Sequence, residues 1–185
     1  MSTAWIQTYS GRRFDLLEPD PKSVSFRDIA HALANSCRFN GHSDKFYSVA
    51  EHSIIMSHMV PPEMAKWALF HDAAEAYAGD MVRPLKELLP EFSNIENRIA
   101  SAIAKRFKLG MYPKELHVFD LRMLATEARE LMLEPPVPWG STSGIEPFDC
   151  PIHCWTPREA EELFYFRHGE ILGEECLREE AEDAA

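Results

Sequence analysis

Scarce cysteine, scarce glycine and a deficit of positive charge set the first bounds on this 185-residue chain. Its four cysteines, Cys37, Cys150, Cys154 and Cys176, are scattered along a chain too long to need a disulfide framework, so reduced thiols are expected. Cys150 and Cys154 flank His153 but have no second pair of thiols to complete a zinc clip. Lys and Arg number 19 against 30 Asp and Glu, a formal charge of −11. That charge repels polyanions at long range and disfavours a nucleic-acid polymer or an anionic membrane as partner. A small anionic substrate held by a local basic cluster or a metal stays open. No apolar run reaches the roughly 20 residues of a membrane helix. The opening MSTAWIQTYSGRR lacks the charged-then-apolar order of a secretion signal, and a cytoplasmic protein is expected. Internal repeats and heptads are missing too.

What remains is an ordinary globular composition, 45% hydrophobic and 26% charged, in a length that suits one domain over residues 1–185. Residues 4–17 alternate loosely about Ser10-Gly11, as in a short hairpin or extended arm. Beyond them the signals are helical. Ser25-x-x-Asp28 and Ser48-x-x-Glu51 read as capping boxes before two apolar runs. Pro61-Pro62 opens a third helix, whose Met64, Trp67, Ala68, Phe70 and Ala74 recur at helical spacing until Gly79. Asn94 to Phe107 forms a fourth. Pro113 to Leu133 forms a fifth, with an apolar stripe through Val118, Leu121, Leu124, Ala125, Ala128, Leu131 and Met132. A Pro-rich loop or lid at 134–157 precedes a last helix at 158–173, capped by Thr156-Pro157 with Glu159, and the acidic end 174–185 is expected to fray. The fold class is therefore all-α, a bundle of about six helices behind a short arm.

Polar residues stand where an apolar helix should not place them. His71 and Asp72 lie among Ala, Leu, Phe and Trp, and burial of such groups demands polar partners. Glu75, three and four residues on, falls on the same helix face. His52 sits among apolar neighbours in the preceding helix, and Asp120 interrupts the stripe of the fifth. Each alone would pass for a satisfied structural group. Together, two imidazoles and two carboxylates from three helices suit one divalent metal ion (Mn, Co, Zn, Fe or Mg) with positions left for water and substrate.

The order His52, His71-Asp72, Asp120 resembles the HD-domain superfamily of metal-dependent phosphohydrolases. The stretch HDAAEAYAGDMVRPLK is similar to the HD-x-x-E-x-x-x-x-D-x-x-x-P-x-K signature of its 5′-deoxynucleotidase and dNTP phosphohydrolase branch, and the likeness covers about residues 26–133. It implies an HD-type helical bundle with His52, His71, Asp72 and Asp120 as metal ligands. It further implies that Glu75 activates or orients the attacking water and that Asp80 supports it or the leaving group. Lys86 and Arg38 match the branch's phosphate-binding cations. Phe39 stands where the branch carries a sugar-packing Trp, keeping an aromatic face but not the indole N–H. His42, close by, is a further candidate for a phosphate or base contact.

The chemistry expected is hydrolysis of a nucleotide phosphate ester by a metal-activated water, with no covalent nucleophile. Both a dNMP 5′-phosphatase and a dNTP triphosphohydrolase such as a dATPase fit. A cyclic-nucleotide or alarmone phosphodiesterase is the alternative enzyme, though the further motifs of those classes are missing. A non-catalytic nucleotide-sensing module would have lost a ligand or Glu75, and all are present. A homo-oligomer, a dimer or larger, is expected from the resemblance.

Overall fold

The structure, a computed structural model, describes residues 4–183, with side chains as far as Glu175. The arm is a hairpin: β1 (Trp5–Gln7) pairs antiparallel with β2 (Arg13–Asp15), Ile6 opposite Phe14. Phe14 is fully buried and stacks on Tyr77 at 3.9 Å, so the hairpin is docked on the bundle by an aromatic pair. The remainder is helical, as the periodicity predicts: α1 (Phe26–Asn35), α2 (Val49–Met59), α3 (Ala65–Phe70), α4 (Glu75–Ala78), α5 (Arg83–Leu88), α6 (Pro90–Phe107), α7 (Leu116–Leu131) and α8 (Pro157–Asp183).

The centre of the bundle is α2. Every residue from Val49 to Ser57 is buried, as befits a helix packed on all sides. It meets α1, α3, α7 and α8. Burial all round means that its polar residues Glu51, His52, Ser53 and Ser57 all require partners inside the protein. At its far end the buried Arg167 of α8 donates to the Ser57 hydroxyl (2.9 Å) and carbonyl (3.0 Å). Phe26, Phe70, Phe107 and Phe164 close the core around His168. A smaller cluster of Ile55, Met123 and Phe148 packs α7 against α2 and the later part of the Pro-rich return.

Several local expectations are corrected. The expected helix through Gly79 breaks between α3 and α4. The amides of Ala73, Glu75, Ala76 and Tyr77 bond three residues back, to Phe70, Asp72, Ala73 and Ala74, so the chain tightens into turns that swing His71 and Asp72 inward. Ser25 makes no side-chain capping hydrogen bond, and the reciprocal half of the box is lost too: the Asp28 carboxylate accepts from Ser10 N (2.7 Å) and Oγ (2.9 Å) of the hairpin, while Ser25 N donates to the Tyr77 hydroxyl (3.3 Å). Ser48 does cap, accepting from Glu51 N. On α7 the buried residues are Leu116, Met123, Thr126, Glu127 and Leu131, rotated from the apolar stripe read in the sequence, and Val118 is 55% exposed. Asp120 and Glu127 share the inward side with Leu116, Met123 and Leu131. A short helix, α5, joins α6, which begins at Pro90 rather than Asn94. The last helix does have its Thr156–Glu159 capping box but runs past Gly173 to Asp183. Residues 184–185 lie outside the described residues. Cys37, Cys150 and Cys154 are free thiols, while Cys176 lies outside the described side chains.

Candidate metal centre

The inward turn after α3 presents His71 and Asp72 to α2 and α7. The Nε2 atoms of His52 and His71 stand 3.2 Å apart. Asp72 Oδ2 is 3.2 Å from the Nε2 of His71 and 3.6 Å from that of His52. From α7, Asp120 Oδ1 lies 3.5 Å from His52 Nε2 and 4.0 Å from His71 Nε2. Ligand atoms of His52, His71 and Asp72 all fall within 4.8 Å of one another. Cys150, His153 and Cys154 form no such group.

The protonation of this cluster follows from its outer partners. Nδ1 of His71 faces the Ala68 carbonyl at 2.7 Å, and a carbonyl only accepts, so that nitrogen carries the proton. Nδ1 of His52 faces Glu127 at 2.5 Å. Burial pushes Glu127 up, but Arg38 and His52 outweigh it and hold this carboxyl below its usual range, so it accepts as well. The two Nε2 atoms of the neutral rings are then bare lone pairs facing each other beside two carboxylate oxygens. Four acceptors at such distances need a positive charge among them, and two N and two O donors suit a divalent ion of borderline hardness. Without one, a proton takes the place: burial and Arg38 push His52 down, yet Glu127 and Asp120 prevail and bring it up to about 9. Asp72 resists burial and is held well below the carboxylate range by His71, His52 and Arg38.

Glu75 opens α4 one turn beyond Asp72. It is buried, and its Oε2 has no hydrogen-bond partner. Burial first, then the charges of Asp72 and Asp80, push its carboxyl well up. Gly79, at φ 86 and ψ 151, adopts a conformation open only to glycine and turns the chain into Asp80, which feels the charges of Arg38, Asp72 and His52. Burial chiefly, with Asp72, pushes Asp80 up as well.

Arg38 is 11% exposed and already engaged, donating to Asp72 Oδ2 (3.4 Å) and Glu127 Oε2 (3.0 Å). Lys86 of α5 stands at the rim, paired with Glu96 at 2.7 Å, and feels the charges of Glu75 and Asp72. Phe39 lies against the Arg38 guanidinium, 5.5 Å from ring centroid to Cζ. His42 is the one candidate not brought in: it is exposed, and its amide closes the turn by donating to the Phe39 carbonyl.

Two carboxylates escaped the sequence reading. Glu127, with no exposure, orients both His52 and Arg38. Its signal was its place two turns after Asp120 on the same face of α7. Glu51 is equally buried and accepts from the amides of His153 (2.7 Å), Cys154 (2.9 Å) and Trp155 (2.8 Å). Those amides fan around Cys154, whose φ of 56 bends them into an anion-holding nest. The capping-box reading hid that task.

No protein-family model matches the chain. It is 41% identical over 143 residues to the uncharacterized protein YfdR of Escherichia coli, a match spanning 77% of this chain and 80% of that protein. An uncharacterized protein of Rhodobacter capsulatus is 40% identical over 119 residues, 59% of this chain and 61% of its own length. A 5′-deoxynucleotidase of Pasteurella multocida is 31% identical over 94 residues, 51% of this chain and 40% of that enzyme.

Proposed function

The chain belongs to the family of the Escherichia coli protein YfdR, and we propose that it is a divalent-metal-dependent phosphohydrolase that removes the 5′-phosphate of a nucleoside monophosphate, a deoxynucleotide by preference. The observation that carries this reading is the pair of Nε2 atoms of His52 and His71 3.2 Å apart beside the Asp72 and Asp120 carboxylates, with an unpartnered buried Glu75 oxygen one turn further along the chain. The partial likeness to a 5′-deoxynucleotidase supports the substrate class.

His52, His71, Asp72 and Asp120 would hold the ion. Such a cation supplies Lewis acidity to a phosphate ester and lowers the pKa of water beside it. Glu75 takes up the proton of the attacking water at Oε2, the buried oxygen that has no other partner, and burial with the nearby Asp72 charge raises its proton affinity. Asp80 passes a proton to the leaving 5′-oxygen. Lys86 exchanges its contact with Glu96 for a phosphate oxygen, and Arg38 braces Asp72 while offering its guanidinium edge. Both cations are partly spent on carboxylates, which favours one phosphate over three.

The test is chelator-stripped protein reloaded with Mn²⁺ or Co²⁺ and incubated with all dNMPs, dNTPs and their ribo counterparts, the released anion being identified by chromatography. Orthophosphate from monophosphates is the expected result. Tripolyphosphate from a dNTP would overturn the monophosphate assignment, and absence of turnover with every one of these nucleotides would overturn the proposed substrate class in favour of a cyclic or alarmone substrate or a sensor.

A further inference from the structure

The turn that carries Arg38 is strained where a relaxed turn would serve. Phe39 (φ 55, ψ 28), Asn40 (φ 51, ψ 29) and Gly41 (φ 76) follow one another in the left-handed region. Non-glycine residues there are strained, and such strain gathers at functional sites. Its effect is to turn the Phe39 ring out against the Arg38 guanidinium, whose Nη1 reaches Asp72. Facing that ring is Trp139, at 6.1 Å between centroids and 39° between planes.

Trp139 comes from the Pro-rich return after α7. From residue 133 to 141 every residue is exposed except this one, which is half-buried. The segment is nonetheless tied to α7: Arg122 Nε donates to the Glu146 carbonyl (3.0 Å), Phe148 N to Thr126 Oγ1 (2.8 Å), and Arg129 Nη2 to the Phe148 carbonyl (3.1 Å). Thr142 N and Oγ1 both hold the Trp139 carbonyl, at 3.2 and 3.3 Å. The indole is therefore presented by an anchored loop. The two rings form an open wedge at the edge of the polar cluster, not a closed core contact.

We propose that Trp139 is a specificity-determining residue whose indole, opened toward Phe39, is the stacking face for the nucleobase of the substrate. The assignment rests on the nucleotide phosphohydrolase reading. A planar, apolar-faced base joined to a phosphate fits an aromatic wedge joined to a cationic, metal-competent cluster. Stacking of a base on an aromatic side chain is worth about 1–3 kcal/mol by alanine substitution, or about 5- to 150-fold in affinity.

The test compares a dNMP with 2-deoxyribose 5-phosphate, which keeps the ester and lacks the base. Trp139→Ala should raise KM for the dNMP about 5- to 150-fold relative to the base-free ester, with kcat little changed, and Trp139→Phe should recover most of the loss. As a second readout, dNMP added to metal-free protein should quench tryptophan fluorescence in the wild type and much less in Trp139→Phe. An equal rise in KM for both compounds would make Trp139 a loop strut and overturn the assignment, as would an unchanged KM. Wild-type protein that hydrolyses both esters without preferring the nucleotide would remove the base subsite alone. Wild-type protein that hydrolyses neither would remove the phosphohydrolase reading and this inference with it.

Discussion

Glu51 and His52 are neighbours on α2, both without solvent exposure, and they teach opposite lessons about buried polarity. Glu51 turns toward the return segment and receives three backbone amides. Burial pushes its carboxyl up while those amides pull it back, and the protein itself supplies every partner the group needs. His52 turns toward α7 and the break after α3. One of its nitrogens is satisfied by Glu127, and the other faces only acceptors. A buried group that the fold satisfies serves as scaffold, whereas one that the fold deliberately leaves open marks where something else must bind.

The largest effect should come from breaking the open side. Asp72→Ala should abolish binding of one equivalent of Co²⁺ by isothermal titration and remove turnover, while the circular dichroism of the helices persists. Metal binding at full stoichiometry in that variant would take Asp72 out of the ligand set. Next, Glu75→Gln should keep the metal and lower kcat by roughly 10²- to 10⁴-fold; a rate near that of the wild type would end its role in proton transfer. Glu127→Gln sharpens the comparison, since it alters a buried carboxylate one step behind the ligand. Metal affinity should fall roughly 10- to 100-fold, measured by competition with a chelating dye.

On the closed side, Glu51→Gln should leave metal stoichiometry alone and cost about 1–3 kcal/mol, because an amide cannot accept all three N–H groups. At about 2–4 °C per kcal/mol for a chain of this size, calorimetry should resolve the drop in Tm. The smallest effect belongs to the scaffold histidines. Burial holds His168, packed among Phe26, Phe70 and Phe107, and His58, beside Arg167, below the ordinary value of 6.5. The folded state thus prefers the neutral rings. The stability tied to that preference is intact above 6.5 and is lost as pH falls through the lowered folded values. His168→Phe should flatten the acid limb of Tm against pH without touching metal binding.

Much of this could be read from residue order. The hairpin about Ser10-Gly11, the cap at Ser48, the stop at Gly79 and the capping box at Thr156 are local, governed by turn chemistry and backbone sterics within a few residues. The same holds for the expectation that His52, His71, Asp72 and Asp120 share a site: spacing and an apolar setting singled them out, and the fold does bring them together. The errors have a common physical source. Asp28 looked like a cap and became the anchor of the hairpin, since a carboxylate bonds whichever donor the fold delivers. The face of α7 was misread because apolar residues were assumed to point inward, whereas Asp120 and Glu127 share that face with Leu116, Met123 and Leu131.

By itself, then, the sequence determined which stretches are broadly helical and which polar residues stand in apolar settings, while the break after α3, the start of α6 at Pro90 and the length of α8 came from the packed chain. Only the tertiary structure decided that Glu127 orients His52, that Glu51 pins the return segment, that Arg38 is shared between Asp72 and Glu127, and that Trp139 meets Phe39. Those pairings join residues far apart in the chain, and they are set by how helices pack, which no local propensity encodes.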